Sequence, residues 1–210
     1  MTLFPRRLLP PLTALAVLLA TSSCLHLQQE LRLDDERTGS FRIDASVPLA
    51  AAQFWLADPS APVARHYARY FDPEQGAALF PATAGVRVTA YRVFDRDNRR
   101  YLHLEGTITD LPRALASGCL GAWTQRALPD GARELRWHPP LPARPTDAPA
   151  LDAWQAALAG LRLRLLVSAP HPIRAAPTAT NVAGNTATWA LDADQAMAQI
   201  LSTGDLALTY

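Results

Sequence analysis

The chain contains no lysine: all 20 of its basic residues are arginine. They are dispersed, and the longest basic run after the first residues is Arg99-Arg100. A surface that tracks phosphates needs basic side chains clustered on one face or along one helix. Nucleic acid is therefore not an expected partner, and the missing lysines read as codon bias toward arginine. Metal-ligand spacing is missing too. The five histidines, His26, His66, His103, His138 and His171, form no HxH, HxxxH or HExxH pattern. No metal and no other cofactor is expected. Beyond the first residues no apolar run reaches the roughly 20 residues that a membrane-spanning helix needs. The richest, Leu161 to Val167, is interrupted by Arg162 and Arg164. There is no glycine-serine linker and no internal repeat, so nothing divides the body of the chain into domains.

What the sequence does have is an address. Arg6 and Arg7 precede a 13-residue apolar stretch, Leu8 to Ala20, and then the small polar run Thr21-Ser22-Ser23 before Cys24. A positive segment, a short apolar segment and small residues before a cut form a secretory signal. Thr-Ser-Ser directly before cysteine resembles a bacterial lipobox, which makes Cys24 the expected lipid attachment site. Residues 1–23 are read as the signal peptide and residues 24–210 as a single envelope domain. Removal of the leader takes Arg6 and Arg7 away and leaves 18 Arg against 19 Asp plus Glu, a formal charge of −1. The second of the two cysteines, Cys119, is then either a packed free thiol or, if Cys24 carries no lipid, a possible disulfide partner for it in an oxidising compartment. Leu25, the residue after Cys24, is not the aspartate that commonly retains lipoproteins in the inner membrane. In a cell with two membranes that favours the periplasmic face of the outer one.

The pattern right after Cys24 has a period of two. Leu25, Leu27, Leu31 and Leu33 share one parity, His26, Gln28, Glu30, Arg32 and Asp34 the other, and only Gln29 breaks the apolar face. Phe41, Ile43, Ala45 and Val47 repeat the alternation after a polar turn, which predicts a hairpin with one buried face. Further hairpins are predicted around Asp95-Arg96-Asp97-Asn98, around Pro129-Asp130-Gly131 and near Gly184-Asn185. Short helices are predicted over 49–57 and 62–71, after the Asp72-Pro73 cap, from Leu151 to Leu158, and after Asp192, where Gln195 completes a capping box. Seven or eight strands with inserted helices define an α+β fold: a mostly antiparallel sheet built from hairpins, with short helices packed on one face.

Candidate chemistry is sparse. Ser117-Gly118-Cys119-Leu120-Gly121 invites a nucleophile reading but lacks the strand–turn–helix context and the partnered base. Asp95, Asp97 and Asn98 lack the glycine and distal glutamate of a calcium loop. Six aromatics, Phe54, Trp55, Tyr67, Tyr70, Phe71 and Phe80, crowd the proline-broken segment 49–80. Short helices of that kind depend on packing for their stability. They are expected either to fill the core or to roof an apolar groove in which Trp55 and Tyr67 contact a lipid or other apolar ligand.

The lipobox-like cysteine running into a leucine-alternating hairpin (Leu25 to Val47), together with Gly184-Asn185-Thr186-Ala187-Thr188-Trp189 far downstream, resembles the LppM-like family of bacterial lipoproteins. The resemblance implies a secreted α/β domain tied to the envelope, with a lipid or glycolipid ligand and no enzyme activity. The expectation is thus a noncatalytic, lipid-anchored binding or assembly protein. The alternatives are an envelope hydrolase using Cys119 or a loop histidine, and an assembly partner that adds a strand to an open edge of the first hairpin.

Overall fold

The computed structural model describes residues 25–57, 68–138, 160–196, 198 and 205–210, without the side chains of 54–57 and 68. Ten strands form two sheets. The hairpin predicted after Cys24 is present as β1 (His26–Leu33) and β2 (Gly39–Pro48), followed by helix α1 (Leu49–Ala57). After three 3-10 turns come β3 (Val86–Arg96) and β4 (Arg99–Ile108), helix α2 (Leu111–Ser117), β5 (Ala122–Ala127) and β6 (Arg133–His138). The chain continues with β7 (Arg162–Ser168), β8 (Asn181–Ala183), β9 (Thr186–Leu191) and β10 (Leu206–Thr209). The large sheet has the order β3-β4-β2-β1-β7-β9-β8 and the small one β10-β6-β5. Every pairing is antiparallel except that of β1 with β7.

The fold is the mostly antiparallel α+β arrangement expected, with two corrections. β1 lies at the centre of the seven strands, paired with β2 on one side and β7 on the other. The first hairpin therefore has no open edge, and strand addition there is excluded. Alternation reports which face a residue occupies, not which strand lies beside it. The layer over the buried face is also not helical alone, because the three-stranded sheet shares it with the 3-10 turns and α2. One hydrophobic cluster runs from Leu31 to Tyr210 and takes in both sheets.

Local chemistry explains the elements. β1 buries Gln29, Leu31 and Leu33 while Arg32 is exposed. The hairpin between β3 and β4 turns through Asp97 (φ 48°) and Asn98 (φ 58°), the left-handed conformation that Asn and Asp tolerate best. Its Asp95 carboxylate is held by Arg100 at 2.8 and 2.9 Å, so the turn is an ion-paired hairpin and not a cation loop. Asp72 accepts the backbone N–H groups of Glu74 and Gln75, as its capping position predicts, but the element it caps is a 3-10 turn (Gly76–Leu79), not an α-helix. The box after β9 is complete: Asp192 accepts from the Gln195 N–H at 2.9 Å and Gln195 accepts from the Asp192 N–H at 3.2 Å. α2 was not expected from the sequence, although Asp110 caps it, Pro112 stands in its first turn and Gly118 (φ 70°) ends it. The predicted helix from Leu151 to Leu158 lies outside the described residues.

Candidate functional site: an apolar cleft beside the anchor

Between the buried face of the large sheet and the small sheet lies a cleft of about 70 Å³. Its floor comes from alternate residues of neighbouring strands: Leu27 and Gln29 on β1, Ala45 and Ile43 directly beside them on β2, and Leu102 on β4. Its far wall is Trp137 on β6 with Cys119, Leu120 and Gly121 from the loop after α2. Tyr70 and Phe71 close one side. Leu25, the residue after Cys24, is also part of the lining. A cavity needs roughly 10–15 Å³ to hold one water. This cleft therefore has room for a few waters or for the end of an alkyl chain, and not for a whole lipid.

Three polar features sit in this apolar setting. Gln29, the residue that breaks the leucine alternation, is 4% exposed and donates from Nε2 to the Leu120 carbonyl at 2.8 Å. It ties the sheet to the loop that forms the far wall. Trp137 and Trp123 face each other across β6 and β5, their rings 6.2 Å apart and tilted by 41°. The indole N–H of each is buried without a hydrogen-bond partner, which leaves each donor short by roughly 1–3 kcal/mol. Gly121 (φ 95°) permits the close approach, since a Cβ there would stand 3.2 Å from the Trp137 indole nitrogen. The wall is thus apolar in surface but holds unsatisfied donors, and an oxygen acceptor on an incoming chain would complete them.

Tyr91 braces the Tyr70 side. Its hydroxyl donates to the Tyr70 carbonyl at 2.6 Å, and burial followed by the nearby Asp72 charge pushes its pKa up to about 12. Gly76 packs under the same ring, where a Cβ would overlap the phenol oxygen. Cys119 is a free thiol, 6% exposed, whose Sγ donates to the Ala114 carbonyl at 3.9 Å. Burial raises its pKa and outweighs the hydrogen bond with Ser117. A nucleophilic cysteine needs a lowered pKa and a base. Here the thiol is held protonated, and no histidine bonds to it among the described residues.

The expected site residues are distributed unevenly. Cys24 and Tyr67 lie outside the described residues, and so does the side chain of Trp55, although its backbone belongs to α1. Of the aromatic cluster, Phe80 fills core, stacked on Phe41 with ring centres 6.2 Å apart and edge-on to Tyr70 at 6.0 Å. Only Tyr70 and Phe71 reach the cleft. Sequence reading missed Ala45, Gly121 and Trp137 as lining residues, and the one available signal was Gln29. His103, expected on the polar face, is there and half-buried, with Nδ1 2.7 Å from Asp44. Among the described residues no group of three His, Cys, Asp or Glu side chains could hold a metal.

Gln29 carries a direct test. In Gln29→Leu the buried Leu120 carbonyl loses its donor, a cost of roughly 1–3 kcal/mol that extra apolar burial only partly offsets. Urea unfolding is expected to show a lower midpoint with an unchanged slope.

The architecture defines the class: a two-sheet, mostly antiparallel α+β domain with an apolar cleft where its first strand begins. No family model matches the chain, and no curated protein does either. Among solved structures, the chain is similar to the NMR structure of the folded domain of LppM from Mycobacterium tuberculosis, with a TM-score of 0.44 and 12% identity. That likeness covers 89% of this chain and 89% of the other. It is also the protein from which the family resembled by the two ends of the sequence takes its name. No helix of the described residues is long and apolar enough to cross a membrane.

Proposed function

We propose that the chain is an exported lipoprotein of the bacterial envelope, anchored through Cys24, with a noncatalytic binding role. Its folded domain receives the end of an apolar chain in the cleft between the two sheets. One observation carries this reading: the cleft is lined by Leu25 and Leu27, next to the residue that the leader presents for acylation. A chain held there lies at the membrane surface from which it came. The apolar lining supplies about 0.8 kcal/mol for each methylene buried, and the unpartnered indole donors select chains that carry an oxygen acceptor. The packed, protonated thiol of Cys119 speaks against the hydrolase alternative. In a cell with two membranes, the domain belongs on the periplasmic face of the outer one.

Tryptophan fluorescence titrated with dodecanoic acid tests the proposal. A saturable change is expected. Ala45→Leu, which puts three more carbons into the floor, is expected to weaken binding roughly tenfold, the equivalent of excluding about two methylenes. Trp137→Phe is expected to remove most of the signal and Trp55→Phe to leave it. The reverse pattern would move the ligand to the α1 segment, where the sequence alone placed it. Unchanged affinity in Ala45→Leu would eliminate the cleft as the site.

A further inference from the structure

The outer face of the large sheet has its own order. Strand registers line up one row straight across five strands: Phe94, Tyr101, Ser46, His26 and Arg162. The next row is Arg92, His103, Asp44, Gln28 and Arg164. These rows lie at the end where β1 begins. Phe94 is 45% exposed and stacks flat on Tyr101, with ring centres 5.2 Å apart and planes 9° from parallel. Arg92, Arg162 and Arg164 are exposed, and none of them makes an ion pair among the described residues.

The negative groups nearby are mostly taken up. Asp44 is bound by Arg42 at 2.6 Å and by His103 at 2.7 Å. Asp95 and Asp97 in the adjoining turn are paired with Arg100 and Arg96. Asp192, beyond the end of β9, is the carboxylate left, and it caps the turn after that strand. Arg99 adds a further cation, donating to the Ser46 carbonyl and hydroxyl at 3.1 and 3.0 Å. The field at this end is positive: His26 has its pKa lowered by burial and then by Arg99 and Arg162. One row further along stand Glu30 and Glu105, and the β1–β2 turn at the other end carries Asp34, Asp35 and Glu36. The face is thus cationic and aromatic at one end and acidic at the other.

The cationic end is also where the chain enters. The Leu25 carbonyl accepts the Arg162 N–H at 2.9 Å, and Cys24 is one residue before it, about 3.8 Å along the backbone. We propose that this end of the outer face rests on the anionic phospholipid headgroups of the membrane that holds the Cys24 anchor. Arg92, Arg162 and Arg164 meet the phosphates, and Phe94 with Tyr101 sits at the headgroup level. The proposal rests on the anchor reading for its location and gives the tethered domain a fixed orientation, with the acidic turn pointing away. Clustered cations beside an interfacial aromatic pair are the features that anionic membrane surfaces attract.

The test uses residues 24–210 with Cys24→Ser, so that no acyl chain contributes. The buried core of the described residues runs from Leu31 to Tyr210, and this chain keeps all of it. It is expected to sediment with vesicles of mixed phosphatidylcholine and phosphatidylglycerol, to be released by high salt, and to ignore pure phosphatidylcholine. Each arginine near an anionic surface is worth about fivefold in partition, so Arg162→Gln/Arg164→Gln should bind roughly 30-fold more weakly. Arg32→Gln/Arg113→Gln, at the other end, should bind like the parent. Circular dichroism confirms that each variant is folded. Phe94→Trp should shift its emission to the blue on the mixed vesicles. Equal binding to both vesicle types, no binding to either, full binding by the Arg162/Arg164 variant, loss in the Arg32/Arg113 variant, or an unmoved Phe94→Trp emission would each overturn the proposal. Because this chain carries no lipid, such a failure leaves the anchor reading standing, and that reading fails separately if Cys24 is not acylated.

Discussion

Cys24→Ser is expected to abolish incorporation of an alkyne fatty-acid label into the chain in its native host, whereas Cys119→Ser leaves labelling intact. The chain has two cysteines, so the two variants divide the possibilities between them. Cys119 is 6% exposed, with a thiol whose pKa burial raises, and it is neither reachable nor ionised for acyl transfer. Cys24 comes after the small residues Thr21-Ser22-Ser23 at the end of the apolar leader. The physical consequence is large. Each buried methylene contributes about 0.8 kcal/mol, one acyl chain gives only reversible attachment and two give a stable one. On detergent phase separation, the parent is expected in the detergent phase. Signal retained in Cys24→Ser, or lost in Cys119→Ser, would place the lipid elsewhere.

Leu165→Ala is expected to be the most destabilising truncation on β7. Leu165 is fully buried, with Gln29 beside it on β1 and Trp189 beside it on β9. It therefore sits where the parallel pairing joins the N-terminal hairpin to the C-terminal strands. Truncating a buried leucine in a close-packed site costs about 2–5 kcal/mol. Domain stabilities are only about 5–15 kcal/mol in total, so the loss is a large fraction. Chemical denaturation would measure it. The neighbouring Leu166 is half-buried and makes a poor control. Arg164→Ala, on the outer face, should stay within about 0.5 kcal/mol of the parent. Similar losses in Leu165→Ala and Arg164→Ala would contradict this placement of the two faces.

The sequence made the faces legible and the neighbours invisible. Leu31 and Leu33 are buried and Arg32 exposed because a two-residue period fixes them so. The hairpin turns at Asp97-Asn98 and Gly184-Asn185 were readable because those residues accept positive φ, as Asp97, Asn98 and Gly184 do. The partner of β1 on its second side was not readable. Leu27 pairs with Leu163, 136 residues later, and both strands look the same whether that neighbour is present or not. The site was hidden for the same reason. Ala45, Gly121 and Trp137 come together only when the small sheet closes over the large one, and each is ordinary in its own segment. Gln29 was the exception: a polar residue on an apolar face has to meet a partner, and that partner is the loop that walls the cleft.

The claim that Cys24 is the anchor beside the cleft is tested most directly by the intact mass of the chain recovered from its native membranes. The account predicts a chain that begins at Cys24 and carries the added mass of a diacylglyceryl group. An unmodified chain beginning at Ser23 or Cys24 would contradict it.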